Sequence, residues 1–251
     1  MSTVLDPLGA RYAEWLRLPA SATADVAAED PEQVRAMPVI LRIERAEPPA
    51  RTAVLEAAAA AAVAVCLDER SAPGGEWHEA VSSWVDARIR KVARRARGAH
   101  WQAVQALPGV TVAVDGAEVR ALVPGRVVAT PKEVSRLQIT GSDLPADEPG
   151  PPPAGVPVLW LNPVIEMTAG KAAAQVGHAT MLLAALWPDA SSWAANDFRV
   201  AVRTPSERRW AELLPGDDPA AAWRERGIVA VRDAGFTEID PGTVTVLAQR
   251  P

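Results

Sequence analysis

Thirteen residues, 145–157, limit most strongly how this chain folds: Pro-Ala-Asp-Glu-Pro-Gly-Pro-Pro-Pro-Ala-Gly-Val-Pro. Proline fixes φ and lacks an amide hydrogen, so the run continues neither a helix nor a central strand. It reads as an extended, fairly stiff linker. The 251 residues therefore fall into two parts, each long enough to bury a small core. The division expected is a helical extension over 1–36, an α/β unit over 37–144, the linker over 145–155 and a second α/β unit over 156–251.

Composition excludes several classes. Hydrophobic residues make up 49%, too many for a disordered chain. The longest alanine-rich run, 53–67, is too short and too weakly apolar to span a bilayer. The N-terminus lacks the basic-then-apolar order of a signal peptide. The one cysteine, Cys66, cannot form an internal disulfide, and a structural zinc site needs more ligands. A cytoplasmic location is the expectation, with no membrane and no metal as partners. Net charge is −5, which offers no global attraction to nucleic acid. Cations are almost all arginine. Only Lys91, Lys132 and Lys171, and His78, His100 and His178, are available for lysine or histidine chemistry.

The second part segments cleanly. Residues 156–161 form a short apolar strand, 171–187 an alanine-rich helix stopped by Pro188, and 198–202 a strand. Thr204-Pro205-Ser206-Glu207 has the form of a capping box with proline at the first helical position. Asp218-Pro219 starts a helix that Gly227 ends. Residues 228–231 and 243–247 are strands joined through the turn Asp240-Pro241-Gly242. In the first part, 11–18 is a short helix, 38–44 a strand and 52–68 an alanine-rich helix. Residues 83–107 show helical spacing broken at Gly98. Asp115-Gly116 joins strands 110–114 and 119–123 as a hairpin. Both parts thus run strand, alanine-rich helix, middle region, two strands, an order that suggests an internal duplication.

Familiar motifs fail. Gly170-Lys171 lacks the Ser or Thr and the first glycine of a phosphate-binding loop. His78-Glu79 lacks the second histidine of a zinc protease, and no Gly-x-Ser-x-Gly exists. Two other segments stand out. In residues 167–179, Lys171, Gln175 and His178 are spaced four and three apart and share one helix face. Free amides near Gly170 beside Lys171 make a candidate anion site. From the spacing alone, an ordinary amphipathic helix with a solvated edge is the better fit. In residues 231–246, Asp233 ends a strand beside Ala234-Gly235, with Thr237 and Thr243 near it. A plain strand–turn–strand in which Asp233 caps the turn fits too.

Together the segments read Met-x-x-Gly-Lys-x-Ala-Ala-Gln-x-x-His-Ala, then Asp-Ala-Gly-x-Thr-x-Ile-x-Pro-Gly-Thr-x-Thr-Val. This paired pattern resembles the type II peptidyl-tRNA hydrolases over residues 156–251. The resemblance implies a mixed four-stranded sheet flanked by helices. It also implies cleavage of the ester joining peptide to tRNA, without metal or organic cofactor. The family's functional positions carry over to Lys171, Gln175, His178, Asp233 and Thr237, with Gly170 and Thr243 as further substrate contacts. The chain departs from the family at Thr168-Ala169, where Gly-Lys is frequent. It departs again at Asn196-Asp197-Phe198-Arg199, at Phe236 and at Glu238. Each change lowers positive charge or polarity on the side expected to meet tRNA.

The first part loosely fits the same layout. However, Arg51-Thr52-Ala53 replaces Gly-Lys, and its alanine-rich helix carries no histidine. The fold expected is therefore two small α/β domains, each a mixed, roughly four-stranded sheet with flanking helices, paired as an internal pseudo-dimer. The chain is expected as a monomer of that kind or a homodimer. Six cations in ten residues, Arg88, Arg90, Lys91, Arg94, Arg95 and Arg97, lie on a helical face in this reading. They form either a solvated surface or a phosphate contact. The function expected is hydrolysis of peptidyl-tRNA, with Lys171, His178, Asp233 and Thr237 catalytic. Its rivals are a tRNA-binding module without turnover and a hydrolase of another acyl substrate.

Overall fold

Two alanine-rich helices occupy the centre of the molecule, and their lack of bulk sets how closely everything else packs. The computed structural model describes residues 3–187 and 191–251. Its first part runs α1 (Asp6–Arg17), the single turn α2 (Ala20–Thr23), β1 (Arg35–Arg42), α3 (Arg51–Leu67), α4 (His78–Asp86) and β2 (Lys91–Ala96). Then follow α5 (Gly98–Val104), β3 (Gly109–Val114), β4 (Ala117–Leu122), β5 (Gly125–Arg126) and α6 (Lys132–Ser135). The second part runs β6 (Val158–Leu161), α7 (Ala169–Leu186), α8 (Ser191–Ala194), β7 (Ala201–Arg203), α9 (Glu207–Leu213), α10 (Pro219–Arg226), β8 (Ile228–Arg232) and β9 (Val244–Gln249).

The strand order is β2-β1-β4-β3 in one sheet, with β5 added beside β1, and β7-β6-β9-β8 in the other. In each sheet the first strand is parallel to the second and antiparallel to the last, and the third is antiparallel to the last. A parallel pair needs a crossover, which α3 and α4 supply between β1 and β2, and α7 between β6 and β7. The result is the two small mixed α/β domains expected, with matching strand order and direction.

Helix α3 packs on β3 and β4, α7 packs on β8 and β9, and the two helices pack on each other. Each also reaches the other sheet's second strand, α3 touching β7 and α7 touching β2. Ala57 through Ala62 are all buried, as a helix apolar all round must be. Where the helices cross, Thr180 Oγ1 donates to the Ala59 carbonyl at 2.7 Å. Helix α1 crosses to the second part. The Tyr12 hydroxyl accepts from the Ala230 amide at 2.7 Å, and Arg232 donates to the Leu16 carbonyl at 3.2 Å.

Several local expectations hold. Asp115 (φ 45°) and Gly116 (φ 82°) both take the left-handed conformation that a tight hairpin turn requires. Asp218 accepts from the Ala220 and Ala221 amides, and Gly227 (φ 61°) ends α10. The proline run has no regular structure but is tied down, Asp147 Oδ1 accepting from the Thr52 amide at 3.1 Å and Gly150's carbonyl from Arg203 Nε at 2.6 Å. Pro188, expected to stop the central helix, lies outside the described residues; the helix ends at Leu186.

Three expectations need correction. Ser206, not Thr204, caps α9 by accepting from the Arg209 amide. Strand β7 begins at Ala201, because Asp197 (φ 52°) and Phe198 (φ 55°) are left-handed and cannot enter a strand. The largest concerns residues 83–107, which are helix, strand, helix. Strand β2 is buried on both faces by small residues: Ala93 lies toward α7, and Ala96 lies against Trp101 and Val104. Pairing with β1 overrides the helical spacing. The basic cluster is therefore no helical face. Arg88 and Arg90 pair with Glu29 at 2.8 and 2.6 Å, Arg94 donates to the Leu137 carbonyl at 2.8 Å, and Arg95 to the Gly141 carbonyl at 3.0 Å.

Candidate active site between the two halves

Helix α7 presents Lys171, Gln175 and His178 along one edge, as their spacing requires. Strand β8 ends at Arg232, so the next residue, Asp233, projects from the sheet's end toward that edge. Its backbone is fixed on both sides. The Asp233 amide donates to the Thr243 carbonyl at 2.8 Å, and its carbonyl accepts from the Gly242 amide at 2.9 Å. Its side chain then meets the helix. Lys171 Nζ lies 2.6 Å from Asp233 Oδ2 and 2.8 Å from Thr237 Oγ1. Gln175 Nε2 donates to the same Oδ2 at 2.8 Å, while Oδ1 accepts from the Gly235 amide at 2.8 Å. Gln175 Oε1 accepts in turn from Thr245 Oγ1 at 2.5 Å. The ion pair is nearly dry: the Lys171 side chain is 10% exposed and Asp233 5%.

His178 stands apart from this cluster. It is not bonded to Asp233; its Nδ1 lies 3.0 Å from Lys91 Nζ, at the start of β2 in the other half. Both side chains retain a little surface toward a cavity and are otherwise enclosed by protein. Burial lowers the Lys91 pKa from 10.5 to about 7. Burial first, then the charges of Lys91 and Lys171, holds His178 well below the usual imidazole range.

The start of α7 is not the open anion site its sequence suggested. The Gly170 amide donates to Ser142 Oγ at 3.1 Å and the Lys171 amide to Thr168 Oγ1 at 3.1 Å. Glu238 Oε2 accepts from the Thr168 amide at 3.1 Å, and Oε1 from its hydroxyl at 2.8 Å. A carboxylate of the chain itself thus occupies the helix's positive end. Thr243 contributes its backbone and does not line the cavity.

The cavity, about 490 Å³, opens between the halves. Lys171, Gln175, His178, Asp233 and Thr237 line one side, and Lys91, Arg88 and Arg90 another. Leu8, Tyr12 and Trp15 of α1 add an apolar wall. Sequence reasoning missed Lys91, Ser142 and Thr245, because each acts through a contact distant in the chain. The only local signal for Lys91 was the scarcity of lysine.

Residues 156–251 match the family model described as Peptidyl-tRNA hydrolase PTH2. The chain is also 35% identical over 102 residues to a protein of Thermococcus sibiricus named peptidyl-tRNA hydrolase. That match covers 38% of this chain and 81% of the relative. The chain belongs to this family. No solved structure matches it significantly. The site of this family member is not self-contained in the second half: α1 supplies its apolar wall, and Ser142 accepts from the Gly170 amide. Its floor is completed by Lys91, which lies outside the matched segment.

Proposed function

We propose that the protein hydrolyses the ester between peptide and tRNA in peptidyl-tRNA. The observation that carries this reading is the dry cluster of Lys171, Asp233, Gln175 and Thr237 at a cavity wide enough for an acyl group, in a chain of this family. Water attacks the ester carbonyl. Asp233 Oδ1, which among the described residues accepts only from the Gly235 amide, takes the water's proton. Lys171 has three N–H donors, two of them engaged, and the third stabilises the developing oxyanion. Thr237 Oγ1 accepts from Lys171, which leaves its own proton to donate to substrate. Collapse breaks the bond to the ribose oxygen, which takes the proton back from Asp233 and leaves as the tRNA hydroxyl, restoring the carboxylate.

The apolar wall from α1 suits the peptide, and no step in this scheme calls for a metal or organic cofactor. The same reading takes the protein as cytoplasmic and tRNA-binding. It divides the chain at 1–36, 37–144, 145–155 and 156–251, with the first α/β unit a diverged duplicate of the second. The matched strand order of the two sheets supports that duplication, and the packing of α3 on α7 supports a monomer built as an internal pseudo-dimer.

The test is release of N-blocked amino acid from tRNA by purified protein. Wild type should turn over. Asp233→Asn and Lys171→Gln should each lower kcat/KM by about 100-fold or more. Near-normal rates in both variants would remove the assignment, and tight tRNA binding without turnover in wild type would favour a binding module.

A further inference from the structure

We propose that Lys91, from the first sheet, is a positioning residue for the site on the second: it holds His178 in the tautomer that presents Nε2–H to the cavity. The functional meaning rests on the hydrolase reading above, but the tautomer rests on the contact geometry and on Lys91 carrying its charge. Lys91 Nζ lies 3.0 Å from His178 Nδ1. An ammonium has three donors and no acceptor, so the nitrogen it meets must be bare. A neutral ring with a bare Nδ1 carries its proton on Nε2. Among the described residues no protein group bonds to Nε2, and His178 lines the cavity with part of its surface exposed, so Nε2 is the ring nitrogen left for a ligand there. His178 is therefore a donor to the substrate oxygen, with Lys91 acting through it.

The approach of Lys91 is built into the helix packing. A Cβ on residue 177 would stand 3.1 Å from Lys91 Cε, so Gly177 leaves the channel through which the lysine stem runs. Nζ then sits 5.1 Å from the Trp84 ring centroid, a placement that favours a cation. The titratable groups acting on the pair are Cys66 on α3 and Lys171 on α7, the latter paired with Asp233 beyond β8. On the cavity wall Arg11 and Tyr12 face it from α1, Arg88 and Arg90 flank Lys91, and Glu238 is held at the start of α7. With Lys91 titrating near pH 7, the constraint is complete in mild acid and relaxes as the amine becomes neutral and can itself accept.

The experiment is a two-bond proton–nitrogen correlation spectrum of the uniformly 15N-labelled full chain at pH 6. The His178 signals are identified by their loss in His178→Asn. Wild type should show His178 protonated at Nε2 alone, and Lys91→Met should admit the Nδ1–H form. Lys91→Arg, permanently charged, should restore the wild-type pattern. Wild-type His178 protonated at Nδ1, or a pattern unchanged in Lys91→Met, overturns the proposal. Should Lys91→Met fail to fold, the wild-type spectrum alone decides. In the ester-cleavage assay Lys91→Met should lower kcat by about 10- to 100-fold with KM little changed, and should lose the alkaline limb near pH 7. A KM effect without a kcat effect counts against the positioning role. Because the tautomer is read without turnover, failure of the hydrolase reading would leave the tautomer assignment intact.

Discussion

A buried amine makes stability depend on pH, and Lys91 does so in a window of its own. Its pKa is about 7 in the folded chain against an ordinary 10.5. Between those values the unfolded chain binds more protons, so stability rises with pH above 7. His178 acts in the same sense at lower pH: its folded pKa lies below 6.5, so stability falls as pH drops through 6.5. Cys66 acts oppositely. Burial raises its thiol from 9.0 to about 12, so stability is lost as pH rises past 9. Urea unfolding between pH 7 and 9 therefore isolates Lys91. Wild-type stability should climb by on the order of 1 kcal/mol per pH unit. Lys91→Met should be nearly flat there and more stable than wild type at pH 7; parallel curves would contradict the buried-amine account. None of this was visible in the sequence, where Lys91 read as one cation in a basic cluster. Lys171, Gln175, Asp233 and Thr237 were legible because a motif with fixed spacing carries them. The partner of His178 comes from 87 positions away, and no local pattern encodes such a contact.

At the scale of elements, the contact of α3 with α7 governs both the core and the site. The helices approach closely where Gly177 of α7 meets Ala62 of α3 and Thr180 meets the Ala59 carbonyl. A Cβ added at Gly177 would meet Ala62 Cβ at 3.0 Å and Lys91 Cε at 3.1 Å, so the neighbours must already give for alanine. Gly177→Val adds two further carbons. It should destabilise by about 1–3 kcal/mol through overpacking, read as a lower urea midpoint at unchanged slope. It should also displace Lys91, so that His178 takes on the spectral pattern of Lys91→Met. Unchanged stability would mean the helices are not in fixed contact. The helices themselves, the Asp115-Gly116 hairpin and the cap at Asp218 were legible, since propensity, turn chemistry and capping act within a few residues. Strand β2 was not. Its six residues become a strand only by pairing with β1, and helical spacing over so short a stretch does not distinguish the two.

For the whole molecule, the question is whether the segment that carries the chemistry is complete without the rest. On α7, Ala172, Ala173, Val176, Ala179, Thr180 and Leu183 are buried, and α3 supplies much of that cover. Helix α1 adds more, with Tyr12 bonded to β8 and Arg232 to the end of α1. A chain of residues 156–251 alone would expose this apolar face, and an exposed face of that kind drives association. We expect the fragment to self-associate in sedimentation at micromolar concentration, either as a dimer through α7 or as larger species. Residues 1–155 supplied in trans should return it to a one-to-one complex. A monomeric, folded fragment would show that the first half does not serve as a fixed subunit. Ester cleavage then separates the two contributions of the first half. If it only covers α7, a self-paired fragment retains the activity of the full chain. If it also supplies Lys91, the fragment should retain Lys171 and Asp233 yet fall to the rate of full-length Lys91→Met, because residues 156–251 contain no lysine besides Lys171, so a second copy has none to offer in its place.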